Sequence, residues 1–121
     1  MGSYVQGSKK QMIITGDVWF AKFPLEEDNS KYISRPVIIL NSELLEVLVV
    51  KVTRTEPRSN DKYDVPISYW QYANLRFKST ARVSKTLLLD RSQLDFRIGS
   101  LHPIDLLTIQ KVFIQYITEN N

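Results

Sequence analysis

Two apolar segments, RPVIIL at residues 35–40 and VLVVKVTR at residues 47–54, decide the fold of this chain. Each is short and rich in β-branched side chains, which is typical of a buried strand. The segment between them is short and mostly polar, so it predicts that the two strands are antiparallel neighbours. In that arrangement the start of the first strand lies beside the end of the second. Arg35, Thr53 and Arg54 would then share one edge of a rigid sheet, and this edge is the first candidate site.

The bulk composition predicts one globular domain. The chain has 121 residues, of which 43% are hydrophobic, and it contains no cysteine and a single histidine. Disulfides, thiolate zinc sites and zinc sites built from several imidazoles are therefore excluded. No apolar segment is long enough to cross a membrane, and the polar N-terminus lacks a signal-peptide core. We expect a flexible tail over 1–12, a single domain over 13–121, a cytoplasmic location, and no metal, cofactor or membrane partner.

Positive charge is concentrated in the second half of the chain. Residues 51–99 contain ten Lys and Arg against five Asp and Glu, whereas the whole chain carries a net charge of +3. Such a region suits an anionic partner, but it is equally compatible with an ordinary solvated surface. Charge alone leaves both interpretations open.

Further strands are predicted around the central pair. A first strand covers 16–23 and stops at Pro24, and the polar loop over 25–34 is long for a hairpin connection, as functional loops often are. Residues 63–67 predict an edge strand because they contain a proline, and 79–90 predict one long strand or two short ones. The sequence thus predicts five to six antiparallel strands.

Two helices complete the predicted fold. A short helix covers 69–74 and ends at Asn74, which suits the left-handed conformation, and 91–94 predict a turn. A longer helix begins at Pro103. The polar residues that recur along it and predict a solvent-facing stripe are Asp105, Thr108, Lys111, Gln115 and Glu119. The apolar residues beside this stripe, which offer surface for a partner, are Ile104, Leu107 and Ile114. The fold class is mainly β, a compact barrel with a short helix and a C-terminal helix.

The residues available for chemistry leave arginine as the main candidate. No Gly-rich phosphate loop or Gly-x-Ser-x-Gly motif is present, the acids are dispersed, and His102 has no nucleophile near it in sequence. Arg35, Arg54 and Arg82 lie at predicted strand ends, and a guanidinium donates two parallel hydrogen bonds to a phosphate. An RNA substrate would supply its own 2′-hydroxyl nucleophile. Surface ion pairs are the alternative explanation of these arginines.

Several segments, in their order and spacing, resemble the MazF/PemK (Kid) toxins of bacterial type II toxin–antitoxin systems, and the PemK-like branch in particular. The resemblance covers roughly residues 14–118. The matching pieces are residues 16–20, 34–40, 49–53, 63–67, Trp70, 73–75, 79–85 and 98–101.

The resemblance implies a homodimeric SH3-like barrel that cuts single-stranded mRNA at short specific sequences and so inhibits translation and growth. Cleavage in the family needs no metal and leaves a 2′,3′-cyclic phosphate and a 5′-hydroxyl. The family's catalytic positions fall on Arg35, Thr53 and Arg82, which act on the scissile phosphate as proton donors or acceptors and as charge stabilisers. The implied regulator is a cognate antitoxin with a disordered acidic tail, which would also be the only link to operator DNA.

This chain departs from the family pattern at the general base. Many relatives carry an aspartate two residues after the late arginine, where this chain has Ser84, and a hydroxyl does not act as a base near neutral pH. The histidine that some relatives carry in the first loop is also absent. An unusually deprotonated Arg35, a water molecule or a substrate group would have to accept the proton.

Two other functions remain open. One is a poison of DNA gyrase like the CcdB toxins, which have a similar barrel, although such a protein needs no cluster of phosphate-reacting groups. The other is an RNA-binding relative with weakened catalysis, which Ser84 makes plausible. The residues expected to contact RNA, through phosphate pairing and base stacking, are Lys31, Tyr32, Arg54, Ser84 and Lys85.

Overall fold

In the computed structural model, which describes residues 12–43 and 45–121, the chain forms a six-stranded sheet and a C-terminal helix. The elements are β1 (Asp17–Pro24), β2 (Tyr32–Asn41), β3 (Glu46–Thr53), β4 (Asp64–Pro66), β5 (Thr80–Asp90), a 3₁₀ turn (Arg91–Gln93), β6 (Leu94–Ser100) and α1 (Pro103–Glu119). The strand order is β4-β5-β3-β2-β1-β6, and every pairing is antiparallel. The predicted mainly-β fold with a C-terminal helix is confirmed. Apart from Met12, the predicted tail lies outside the described residues.

The central hairpin of β2 and β3 forms as predicted. Val37 pairs with Lys51 and Ile39 pairs with Val49. Successive side chains of a strand point to opposite faces, and here Val37, Ile38 and Ile39 are all fully buried. Both faces of the hairpin are therefore covered, which explains why its sequence is a continuous apolar run and not an alternating one.

Two hydrophobic cores lie on opposite faces of the central strands. The first contains Ile38, Val50 and Ile109, so it joins the sheet to α1. The second contains Trp19 and Val37, and it is closed by residues of β1, β2, β3 and β5. Burying a side chain such as Ile38 removes it fully from water and contributes about 1.5–3 kcal/mol. The packed strands hold their polar ends in place as a rigid support for a site.

The predicted short helix over 69–74 is a series of turns. Ala73 donates its backbone N–H to Tyr69 at 3.2 Å, but the pattern does not continue as a regular helix. Asn74 has a φ of 65°, so its predicted left-handed conformation is confirmed. Strand β6 was not predicted, although Leu94, Phe96 and Ile98 alternate with polar residues as in a strand; none of its residues is buried in the structure. Residues 80–90 form one long strand, and 91–93 form the 3₁₀ turn.

The prediction that Asp105 faces solvent is wrong. Its side chain is buried, and its carboxylate accepts hydrogen bonds from the backbone N–H groups of Ser68, at 3.1 Å, and Tyr69, at 2.8 Å. Helical periodicity could not anticipate this, because the donors belong to a turn 36 residues away in sequence. The other four residues of the stripe are exposed, as are Ile104, Leu107 and Ile114.

Gly99 permits the 68–74 turn to pack directly against β6. A Cβ added at Gly99 would lie 2.4 Å from the carbonyl oxygen of Ala73, which is a backbone atom that cannot swing aside. We expect Gly99→Ala to lower the free energy of unfolding by about 1–3 kcal/mol, as overpacking does elsewhere. Urea denaturation followed by circular dichroism measures this loss. An unchanged midpoint would contradict the close approach.

Candidate active site

Arg35 occupies the junction of β1, β2 and β3. It pairs with Ala21 of β1, and one terminal N–H of its guanidinium donates to the carbonyl oxygen of Val52 at 3.3 Å. Its Nε is buried and has no hydrogen-bond partner among the described residues. Burial and the positive charge of Arg82 lower the pKa of Arg35 below its ordinary value, while Glu26 acts in the opposite direction. The side chain therefore has donor capacity that the described residues do not use.

Two further cations stand beside Arg35. Arg82 of β5 pairs in register with Lys51 of β3, and the Nε of Arg82 is likewise buried without a partner among the described residues. Burial, followed by the charge of Arg35, lowers the pKa of Lys51. Three positive groups on neighbouring strands repel one another at low solvent exposure. An anion bound among them would relieve this repulsion and satisfy the free donors.

One carboxylate from the first loop already faces these cations. Glu26, in the connection between β1 and β2, forms ion pairs with Lys51 at 3.4 Å and with Lys85 at 3.1 Å. The hydrogen bond from Lys85 is the main cause that lowers the pKa of Glu26. Lys85, which the sequence predicts to contact RNA, is paired with this acid in the structure.

Thr53 ends β3 and is held by its own turn. Its Oγ1 accepts the backbone N–H of Thr55 and donates to the hydroxyl of Thr55, both at 3.3 Å. Thr53 and Arg35 line one open cleft, as the predicted hairpin geometry requires. The local threonine turn orients the hydroxyl without involving it in the core.

Ser84 lies on an irregular part of β5. Val50 pairs with Thr86 but the next residue, Lys51, pairs with Arg82, so residues 83–85 have no partner on β3. The Ser84 hydroxyl donates to a carboxylate oxygen of Asp61 at 2.6 Å. The same oxygen accepts a hydrogen bond from Arg58 at 2.9 Å. Ser84 lines a separate small cleft beside the C-terminal end of α1.

The remaining predicted RNA contacts are divided between two places. Arg54 follows β3 and lines the same cleft as Arg35, with its guanidinium over the ring of Phe77 at 4.4 Å. Lys31 and Tyr32 are exposed at the start of β2 and are not among the residues that line this cleft. The structure therefore brings Arg54 to the candidate site and leaves Lys31 and Tyr32 on the neighbouring surface.

Sequence reasoning missed several residues of the site. Lys51 stands two positions before Thr53 in the same strand, and that spacing places the two on one face. The cleft beside Arg35 has a volume of about 1270 Å³, and residues 76–78, Arg-Phe-Lys, form part of its wall. This alternation of cations and an aromatic ring could have indicated from the sequence that the segment belongs to the candidate site. Nothing in the sequence pointed to Glu26, whose approach depends on the path of a loop.

Neither a metal-binding cluster nor a membrane-crossing helix is found among the described residues. No group of three or more His, Cys, Asp or Glu side chains within 12–43 and 45–121 is arranged to hold a metal ion. No helix in these ranges combines the length and hydropathy that crossing a membrane requires.

Solved structures of bacterial toxins share this fold. The Mycobacterium tuberculosis toxin MazF-mt6 superposes with a TM-score of 0.66 at 21% identity, over 84% of this chain and 96% of that chain. An endoribonuclease from a mycobacterial species gives 0.67 at 12% identity, over 91% and 95%. A mycobacterial endoribonuclease in complex with its cognate antitoxin gives 0.68 at 14% identity, over 88% and 96%. At these identities the similarity establishes the fold.

The sequence itself provides the family assignment. No curated protein matches the chain in sequence. Residues 14–117, however, match the family model described as PemK-like, MazF-like toxin of type II toxin-antitoxin system. This match spans nearly all of the described residues and includes both strands of the central hairpin. The chain therefore belongs to the PemK-like, MazF-like toxins of type II toxin–antitoxin systems.

Proposed function

We propose that this toxin is a metal-independent endoribonuclease that cuts single-stranded mRNA and thereby inhibits translation and growth. The observation that carries the proposal is the cluster of Arg35, Lys51 and Arg82 next to Thr53. In both of its guanidinium groups, those of Arg35 and Arg82, the Nε is buried and has no hydrogen-bond partner among the described residues. Two similar structures are themselves named endoribonucleases, which supports the same reaction class.

The proposed reaction is an intramolecular transesterification. The 2′-hydroxyl of RNA attacks the adjacent phosphorus, and the bond from phosphorus to the 5′-oxygen of the next nucleotide breaks. The products are a 2′,3′-cyclic phosphate and a 5′-hydroxyl. Negative charge grows on the equatorial oxygens in the transition state, where Arg35 and Arg82 would donate hydrogen bonds. The Thr53 hydroxyl would turn away from Thr55 and donate to the same phosphate.

Two protons move in this reaction. The 2′-hydroxyl loses one, and the departing 5′-oxygen gains one. Ser84 is not the acceptor, because a hydroxyl is too weak a base near neutral pH and Ser84 lines a separate cleft from Arg35. Arg35 in its neutral form, a water molecule and a group of the substrate remain as candidate acceptors.

The proposal includes two protein partners. One is a cognate antitoxin, as family membership implies, and one of the similar structures contains such a complex. The antitoxin would be the only route to operator DNA. The other is a second copy of this chain, supported by the exposed apolar side chains of α1, Ile104, Leu107 and Ile114. The toxin would act in the cytoplasm, where its mRNA substrate is found.

The direct test is to incubate the purified toxin, without antitoxin, with mixed cellular RNA in EDTA. We expect cleavage at a short recurring sequence, and mapping of the 5′ ends together with phosphatase treatment should identify 5′-hydroxyl and cyclic-phosphate ends. Intact RNA across many sequences would contradict the proposal. Inhibition of gyrase in a supercoiling assay without RNA cleavage would favour the CcdB-like alternative. RNA binding without cleavage would favour the weakened relative.

A further inference from the structure

The open cleft beside Arg35 is larger than the phosphate chemistry requires. It extends from the ends of β2 and β3 to residues 74–79 on one side and to β6 on the other. Its volume of about 1270 Å³ exceeds the roughly 300–1,000 Å³ of a pocket for one small ligand. A single phosphate group would fill only a small part of it, so the cleft has room for a larger ligand.

Two aromatic rings in this cleft are exposed and held in position. Phe77 is 51% exposed, and the guanidinium of Arg54 covers one part of its ring at 4.4 Å. Phe96 is 55% exposed and stacks on Phe20 with ring centroids 5.2 Å apart. Leaving large apolar rings in water costs free energy, so such rings mark contact surfaces when they occur together. Both rings therefore present partly exposed apolar surface in the cleft.

The charges around these rings have one sign. Among the described residues that line the cleft, five are basic and none is acidic; the basic ones are Arg35, Arg54, Arg76, Lys78 and Arg97. Arg97 is held by the buried carboxylate of Asp17 at 3.2 Å. No ion pair involves Arg54, Arg76 or Lys78 within residues 12–43 and 45–121. Cations alternating with aromatic rings suit a single strand whose phosphates and bases bind together.

We propose that this cleft, here called the base cleft, binds the nucleobases next to the scissile phosphate by stacking on Phe77 and Phe96. The inference rests on the proposed endoribonuclease function, because the cleft begins at Arg35 and Thr53. Arg54, Arg76 and Lys78 bind the phosphates that link these bases. The flat faces of the rings accept any base, so stacking contributes affinity, and recognition of particular bases comes from the neighbouring polar groups.

A second copy of the chain is the competing occupant. A two-fold contact would place the same surface of both copies face to face. Through the base cleft, that contact would bring together Arg54, Arg76 and Lys78 of both copies, which form no ion pair among the described residues. Like charges brought together in this way cost several kcal/mol. The charge of the cleft therefore favours a polyanion.

The test measures binding of an RNA that cannot be cut. The probe is a fluorescent, random-sequence pool of 2′-O-methyl oligoribonucleotides, compared by anisotropy with an abasic oligomer of the same length and charge. We expect Phe77→Leu and Phe96→Leu each to weaken binding of the base-containing pool about 10-fold, since one stacked base contributes roughly 1–3 kcal/mol. Neither variant should change binding of the abasic oligomer. Phe77→Tyr should restore the affinity.

Tyr72→Leu is the matched control, because Tyr72 is 62% exposed and does not line the cleft. Unchanged affinity in both phenylalanine variants would overturn the proposal, as would an equal loss for the abasic oligomer. A shift to monomers in sedimentation, without a base-dependent loss, would assign the cleft to a second copy. Wild-type protein that binds but never cuts RNA would refute the proposed reaction and leave the base cleft standing. If the wild-type protein cuts RNA but the phenylalanine variants bind it with unchanged affinity, the base cleft is refuted and the proposed reaction stands.

Discussion

Replacing Arg35 with alanine is expected to lower the rate of RNA cleavage by about 100-fold or more, with little change in stability. Removing one donor that stabilises transition-state charge typically costs about 10²–10³ in rate. Arg35 is suited to this role because its Nε is buried and unpaired among the described residues, and one terminal N–H is anchored on Val52. Its loss also relieves repulsion from Lys51 and Arg82, so the fold should tolerate the change.

Single-turnover cleavage of a labelled oligonucleotide carrying the mapped site measures this effect. Arg35→Lys should recover only a small part of the rate, because an ammonium lacks the planar pair of donors. Lys111→Ala is the control, since it removes one positive charge from an exposed position on α1. Near-wild-type cleavage by Arg35→Ala would show that the phosphate binds elsewhere, and unfolding of the variant would show that Arg35 is structural.

Replacing Asp105 with alanine is expected to lower the free energy of unfolding by about 3 kcal/mol. The carboxylate accepts two backbone N–H groups, of Ser68 and Tyr69, and it is almost completely buried. A hydrogen bond to a charged group contributes about 1.5–3 kcal/mol, and a donor left unpaired in the interior costs more than one exposed to water. The turn that Asp105 holds continues into Asn74 and Leu75, which line the base cleft.

Urea or thermal denaturation measures the loss. Asp105→Asn should lose less, because its amide oxygen still accepts one of the two hydrogen bonds. Asp95→Ala is the matched control, since Asp95 forms an exposed ion pair with Lys22 at 2.9 Å, and such pairs contribute about 0–1 kcal/mol. Equal stability losses in Asp105→Ala and Asp95→Ala would contradict the role assigned to the buried carboxylate.

The parts of the fold that could be predicted are those where local pattern and tertiary burial agree. The central hairpin, the first strand, the edge strand with its proline and the C-terminal helix all carry a clear apolar pattern. Strand β6 was missed although residues 94–98 alternate apolar and polar side chains; its pairing with β1 is what only the structure gives. The turn over 68–74 was predicted as a helix because its local propensity resembles one.

The residues of the candidate site likewise fall into those that the sequence could identify and those that it could not. Arg35, Thr53 and Arg82 could be identified because each lies at a recognisable position of a predicted strand or of the family pattern. Their roles in cleavage remain predictions. Lys51 and Glu26 were missed, since their proximity depends on strand register and on the path of the first loop. Arg76 and Phe77 of the cleft lie in a segment for which the sequence predicted neither a helix nor a strand.

The sequence by itself determined the fold class, the order of the central strands and the family, because β-branched runs and turn residues act over a few positions. Only the tertiary structure decided that Arg35, Lys51 and Arg82 form one cluster, that Asp105 is buried and that Ser84 is bound to Asp61. These outcomes depend on register and loop path, which are set by contacts between residues far apart in sequence. Charge and exposure at the site follow from those contacts and not from the local residue pattern.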